Sequence, residues 1–598
     1  MTHHTSLRPL RSHMNARGVA ACIVPTADPH LSEYLPARWK TRAWLSGFSG
    51  SAGTLVVGGD FAGLWTDSRY FEQAERELAG SDIALMKQRV AHAPEHLAWL
   101  SARLHAGAKV SIAPDMLSLA GARQLRATFD PAGIELLLED LPGAIWSERP
   151  ALPTAPIRAH DPAFACATRA ARLAGTCTAL HDAGATHHLI SSLDDIAWIT
   201  LLRGSDVEYN PVFLAHLLVA ADRATLFVPS GKIDPALRAA LAADGIMLAD
   251  YADITAACAA LPADARLLVD PARVAVATLA ALPASVQRIE ASNPSTAAKA
   301  RKSTCELDHW REVMARDGAA LARAFRQIDT RVRGGEQLSE MDVDDIVCAE
   351  RAREADFIAP SFATIAGYAA NGALPHYRAT PQHHAPLQAR GLLLVDSGGQ
   401  YLGGTTDITR VWALGETTSE EREDFTRVLA GMIALSRARF PAGASGPQLD
   451  ALARAPLWAA AADYGHGTGH GVGYFLNVHE GPQGIRPPVP GGALVALEPG
   501  MVTSIEPGLY RPGRHGVRHE NLAATRTCAQ SEFGTFLEFE TLTLCPFDTR
   551  PLLPALLDAA ARAWLDAYHA RVRTLLAPRL SGGDRDWLEA RCAPLAAA

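Results

Sequence analysis

Five residues in the C-terminal half of this 598-residue chain have side chains suited to holding hard metal ions: Asp396, Asp407, His470, Glu506 and Glu520. Four are carboxylates and one is an imidazole, and each stands at the end of an apolar run or within a glycine-rich turn. Oxygen donors suit Mn²⁺ or Mg²⁺, and one imidazole extends the choice to Zn²⁺, Co²⁺ or Fe²⁺. A carboxylate that caps an apolar strand is costly to bury unless something satisfies it, and a cation does so. If the five converge, they would hold two cations side by side, and the chemistry would be metal-assisted hydrolysis.

Each residue also has an ordinary reading. Asp396 and Asp407 bracket the glycine-rich stretch 397–406, which alone reads equally well as a turn with solvated aspartates. His470 lies in 465–473, with glycine at every second position, a pattern that suggests close backbone approach to a ligand. Neither GxGxxG nor a phosphate loop fits that spacing. A lone histidine is usually structural, but His376, His466 and His479 stand in comparable settings. Glu498-Pro499-Gly500 and Glu506-Pro507-Gly508 compete for one role. Glu506 ends an apolar strand that Pro507 stops, so it is chosen, and Glu498 is assigned to a surface turn. Arg518 should share a side of its strand with Glu520, leaving His519 facing away. Its plain alternative is a surface ion pair worth little. Separately these signals are weak; together, in this order, they are specific.

The elements that must position these residues follow from apolar patterning. Runs at 392–395, 501–505 and 516–519 lead into Asp396, Glu506 and Glu520. A long helix is expected from near Thr304, with Leu307, Trp310, Met314, Leu321, Phe325 and Ile328 on one face, ending before Gly334-Gly335. Three prolines in 149–156 mark a linker, and a second break falls at 292–295. The division expected is 1–155, 156–298 and 299–598. The first two parts alternate short strands (22–24, 54–57, 212–220, 224–228) with Ala/Leu/Arg-rich helices, which predicts α/β sheets, and no short-period repeat is visible.

Composition, with 48% hydrophobic and 20% charged residues, is that of a globular protein. A net charge of −8 argues against a nucleic-acid partner. No apolar run reaches the roughly 18 residues of a membrane span. The N-terminus lacks a secretory core, so a cytoplasmic location is expected. The nine cysteines are scattered and never spaced CxxC, so they are expected to be reduced, mostly buried thiols, neither disulfides nor a zinc site.

The stretches 46–57 (SGFSGSAGTLVV), 65–74 (WTDSRYFEQA), 203–213 (RGSDVEYNPVF), 394–410 (LVDSGGQYLGGTTDITR), 466–482 (HGTGHGVGYFLNVHEGP) and 516–521 (GVRHEN) resemble the creatinase/prolidase/methionine aminopeptidase superfamily. The three-domain aminopeptidase P branch is the most similar, and the tail 536–550 fits it too. The resemblance implies an α+β chain, with a C-terminal pita-bread metallopeptidase domain preceded by two α/β creatinase-like domains. It implies one divalent cation on Asp396, Asp407 and Glu520, and a second on Asp407, His470, Glu506 and Glu520. Mn²⁺ is the family's usual metal, with Zn²⁺ or Co²⁺ as alternatives. His376, His466, His479 and Arg518 match substrate-lining positions. The chemistry expected is attack of a hydroxide shared by the two cations on the carbonyl before proline. Glu506 would carry the proton, His376 would stabilise the oxyanion, and His479 and Arg518 would hold the peptide beyond proline. The substrates implied are peptides with proline second, acted on by a homodimer; a prolidase acting on Xaa-Pro dipeptides is the alternative. Gly399, Ile505 and His519 depart from the family's usual residues without touching a ligand position.

Overall fold

The computed structural model describes residues 4–89, 93–488 and 494–595. The chain forms two compact units, Met1–His160 with Ala167–Thr296, and Asp161–Cys166 with Ala297–Ala598. The first unit holds two six-stranded sheets. One runs Ala84–Lys87, Ala62–Thr66, Thr54–Gly58, Ala21–Pro25, Lys109–Ile112, Glu135–Leu138. The other runs Ile246–Asp250, Ala224–Val228, His216–Val219, His187–Ile190, Arg266–Val269, Gln287–Glu290. Across each sheet the pairings read parallel, antiparallel, antiparallel, parallel, parallel. The same topology thus occurs twice without a sequence repeat to announce it.

The strand expected over 212–220 is shorter, only His216–Val219. Upstream, the backbone turns to the 204–206 segment instead: Gly204 N–H donates to Pro211 O, and the Leu214 N–H donates to an Asp206 carboxylate oxygen at 2.7 Å. Those bonds take Pro211 O and the Leu214 N–H, groups that a longer ladder would need.

In the second unit a 30-residue helix runs Thr304–Arg333. Ser303 caps it, accepting from the Glu306 N–H while the Glu306 carboxylate accepts from Ser303 N–H. Its inner face packs Leu321, Phe325 and Ile328 against Leu393, Val395 and Trp412. The sheet Ile365–Tyr368, Leu392–Ser397, Ile408–Ala413 has its other face, Leu392, Leu394 and Val411, against Phe425, Leu429 and Met432 of the Ser419–Ser436 helix. Burial on both faces explains the unbroken apolar run of 392–395, each such leucine or valine contributing about 1.5–3 kcal/mol. Asp396 therefore leaves the core at the end of a strand that cannot shift. A second sheet, six-stranded, carries Gly469–Gly471, Val502–Ile505 and Asn521–Ser531.

The cysteines depart from expectation. Cys166 and Cys305 form a disulfide 139 residues apart in sequence, while seven cysteines are free. Local spacing carries no trace of the pair, because the short 161–166 segment returns to the second unit and meets the start of the long helix there. Among the described residues no helix is long and apolar enough to cross a membrane.

Candidate metal centre

Antiparallel pairing sets Asp396 opposite Thr409 and Ser397 opposite Ile408, so the intervening hairpin returns Asp407 beside the strand that bears Asp396. In the six-stranded sheet Ile505 pairs with Asn521, which brings Glu506 and Glu520 to one end of neighbouring strands. His470 lies on the Gly469–Gly471 strand, which pairs with Val502–Ile505 at Gly471. A Cβ on Gly469 would stand 1.9 Å from Ser504 O, and one on Gly471 2.1 Å from Glu480 O. These two glycines serve close strand-to-strand approach, where approach to a ligand was expected.

The five residues converge. His470 Nε2 is 3.4 Å from both Asp407 Oδ2 and Glu506 Oε1. Asp407, His470 and Glu520 can each place a donor atom within 4.8 Å of the others'. Asp396, Asp407 and Glu520 are buried. His470 Nδ1 donates to Gly471 O at 2.9 Å, which turns Nε2 toward the carboxylates.

Charge in the cluster is out of balance. Burial first, then Asp407 and Glu506, push the Asp396 carboxyl up to about 7 against the pull of Arg518. Burial and the neighbouring carboxylates raise Glu520 well above the usual range and raise Glu506 as well, although His470 counters the latter. Burial alone would lower His470, but its bond to Asp407 and the Glu506 charge push it up to about 9. Asp396 Oδ1 and Glu520 Oε1 are buried without a hydrogen-bond partner. Four clustered acids with two orphaned oxygens and an aimed imidazole fit a pair of divalent cations.

These shifts carry a testable sign. Asp396 goes from an ordinary 3.8 to about 7 and His470 from 6.5 to about 9, so both bind protons more tightly folded than unfolded. Each contributes stability that is full below its unfolded value and lost as pH rises through its folded value. A cation that displaces those protons gains in proportion. The rise in Tm on adding Mn²⁺ should therefore be larger at about pH 8 than at about pH 6. A rise that is equal at the two values, or smaller at the higher one, contradicts the assignment.

Around the cluster stand expected residues, together with Tyr510, Thr409 and Ser504, which sequence patterns did not single out. Arg518, expected near substrate, is buried and fully engaged. Nη2 donates to Asp396, Nη1 to Tyr510 OH at 2.7 Å, and Nε to Thr409 Oγ1 at 3.1 Å. Tyr510 OH also bonds His466 Nε2 at 2.8 Å, so His466 connects to Asp396 through Tyr510 and Arg518. Thr409 Oγ1 donates to Glu520 Oε2 at 2.9 Å, and Ser504 Oγ to Glu506 Oε1 at 3.2 Å. The strand of Arg518 ends there, at His515–Arg518, and Glu520 stands in the break before Asn521. His519 does face away, edge-on to Phe425 with ring centroids 4.4 Å apart. His479 meets His470 edge-on at 4.4 Å, and the next residue, Glu480, is locked by buried Lys302 and Lys299. Glu498 makes an exposed ion pair with Arg301, as its turn assignment requires.

His376 sits in a loop held from below by Glu340, which is fully buried. Glu340 accepts from Tyr368 N–H at 2.7 Å, Tyr377 OH at 2.7 Å, Ala385 N–H at 2.7 Å and Asn371 Nδ2 at 3.0 Å. The loop meets the Arg518 strand where a Cβ on Gly516 would stand 1.8 Å from Gly372 O. Glu340→Gln turns an amide NH₂ toward some of these donors. It should cost about 1–3 kcal/mol in chemical denaturation. An unchanged denaturation midpoint would remove Glu340 from this role.

Comparison with known proteins identifies the family. A model described as metallopeptidase family M24 matches residues 308–526, and its C-terminal region matches 535–595. Creatinase/prolidase N-terminal domain models match 7–149 and 148–306. Aminopeptidase P2 of Arabidopsis thaliana is 38% identical, over 99% of this chain and 88% of its own length. The chain belongs to the aminopeptidase P branch of family M24. A crystal structure of X-prolyl aminopeptidase from Caenorhabditis elegans, described as a cytosolic enzyme with a di-nuclear active site, superposes with a TM-score of 0.94. That pair is 30% identical, with all of both chains covered. Dipeptidase PepE of Mycobacterium ulcerans, 26% identical, covers 65% of this M24 chain and 98% of its own at a TM-score of 0.51.

Proposed function

We propose that this chain is a metal-dependent aminopeptidase that releases the first residue from peptides with proline in second place. The observation that carries this is the full-length likeness to aminopeptidase P together with convergence of all five donor residues. The dipeptidase likeness covers only 65% of the chain, so prolidase activity is the weaker reading.

Asp396, Asp407 and Glu520 would hold one cation, and Asp407, His470, Glu506 and Glu520 the other. Two divalent ions there, Mn²⁺ by preference with Zn²⁺ or Co²⁺ as substitutes, would supply hydroxide at neutral pH and positive charge for an oxyanion. Glu506 is the proton carrier, taking a proton from water and returning it to the leaving proline nitrogen. His376 donates a hydrogen bond to the carbonyl oxygen as its charge develops. His479 holds the peptide beyond proline. Arg518 fixes Asp396 directly, in place of the peptide contact expected of it, and His466 acts on Asp396 through Tyr510 and Arg518. The scissile amide is tertiary and has no N–H, which defeats proteases that rely on one and favours a dedicated site. We assign the enzyme to the cytosol as a homodimer.

The test compares metal-loaded protein on an Xaa-Pro-Xaa tripeptide, an Xaa-Pro dipeptide and a Met-Ala peptide. Release of the first residue from the tripeptide is expected. Cleavage confined to the dipeptide would replace this reading with prolidase.

A further inference from the structure

The Cys166–Cys305 pair takes no part in the chemistry above. Cys305 is exposed in the first turn of the Thr304–Arg333 helix, and His309 stands one turn on, at i and i+4 on the same face. Cys166, half-buried, ends the 161–166 segment. The two sulfurs are bonded to each other, and Cys166 Sγ is 3.7 Å from His309 Nδ1. A sulfur at about 2.3 Å and a nitrogen at about 2.0 Å from one tetrahedral zinc stand about 3.5 Å apart. The cysteine–imidazole spacing thus already matches a shared metal. The donor atoms of all three side chains lie within 4.8 Å of one another. Two donors one helical turn apart make a ready chelate, as in helical zinc motifs, and a third from a distant segment closes it.

We propose that Cys166, Cys305 and His309, when the disulfide is reduced, bind one soft divalent cation such as Zn²⁺, with water in the fourth position. A dithiol reductant supplies two electrons and two protons to the Cys166–Cys305 bond and leaves as a disulfide, giving two thiols. Each thiol then releases its proton as its sulfur binds the metal. Thiolates select zinc over manganese, so this trio and the carboxylate cluster draw on different metals.

The trio packs against two of the segments that carry the proposed catalytic ligands. His309 Nδ1 bonds Tyr474 OH at 2.8 Å, a bond that a metal on Nδ1 would replace, and Tyr474, which lies between His470 and His479 in the chain, donates to Phe164 O at 3.0 Å. A Cβ on Gly403, in the hairpin from Asp396 to Asp407, would meet the Phe164 ring at 3.0 Å and His309 Cβ at 3.2 Å.

The experiment uses the full chain, reduced with a phosphine, stripped of metal and titrated with Co²⁺. Reduced protein is expected to bind one more cobalt per chain than the C166S/C305S double variant. It should also show a near-ultraviolet thiolate-to-cobalt charge-transfer band, which carboxylate and imidazole ligands do not give. Oxidised wild-type protein should lack the band, a comparison that needs no variant to fold. His309→Ala should weaken the extra site at least about tenfold. Equal stoichiometry and no band in the reduced wild type overturn the proposal. Because peptide hydrolysis is not the readout, the outcome is independent of the proposed function.

Discussion

Asp407→Ala is expected to lower turnover on an Xaa-Pro-Xaa peptide by at least about 10³-fold and to remove at least one bound cation per chain. Asp407 is the carboxylate assigned to both cations, and the positive charge they supply is worth several kcal/mol in the transition state. At about 1.4 kcal/mol per tenfold, that is a fall of three orders or more. The same substitution has a second signature. Asp407 is among the charges that raise the Asp396, Glu506 and Glu520 carboxyls. Removing it relieves like-charge crowding but also removes the Asp407 bond that holds His470 up, so the two effects offset and the Tm of the metal-free variant should stay close to that of metal-free wild type. Loss of activity without loss of Tm separates a missing ligand from a broken fold. Full activity in this variant would show the ligand assignment to be wrong.

Glu506→Gln should reduce kcat by about 10²–10⁴-fold, the range of a lost general base, even with metal in excess. The glutamine carbonyl can still accept from Ser504 Oγ, which now stands 3.2 Å from Glu506 Oε1, so the local structure should survive. Loss of the Glu506 charge also removes one of the influences that hold His470 up at about 9, so the His470 titration should move down. Metal binding should weaken too, since one donor becomes neutral. Activity that returns fully at high Mn²⁺ would make Glu506 a ligand alone and move the proton-carrier role elsewhere.

Much of the centre was legible because its physics is local. A carboxylate ending an apolar run is conspicuous, and Asp396 and Glu506 both stand so. The long helix announced itself through its apolar period, and its Ser303 cap came to light in the structure. What stayed hidden depends on contacts distant in sequence. Thr409 and Ser504 read as ordinary strand hydroxyls, and only strand pairing aims them at Glu520 and Glu506. Glu340 follows the capping Ser339 and reads as a surface acid that complements the helix dipole, yet it is fully buried beneath the His376 loop. The glycines of 465–473 were legible as close approach, but their partner is the neighbouring backbone. Arg518 was placed on the correct side by strand alternation although the strand breaks before Glu520, because both side chains converge on Thr409. The cystine was invisible because 139 residues separate its halves. The twin sheets of the first unit share topology without a shared sequence pattern.

The central claim is that Asp396, Asp407, His470, Glu506 and Glu520 together hold two cations. Anomalous diffraction from Mn²⁺-loaded crystals tests it most directly. Two anomalous peaks are predicted, both contacting Asp407 and Glu520, with His470 and Glu506 on one and Asp396 on the other. A single peak, or peaks away from these five side chains, would contradict it.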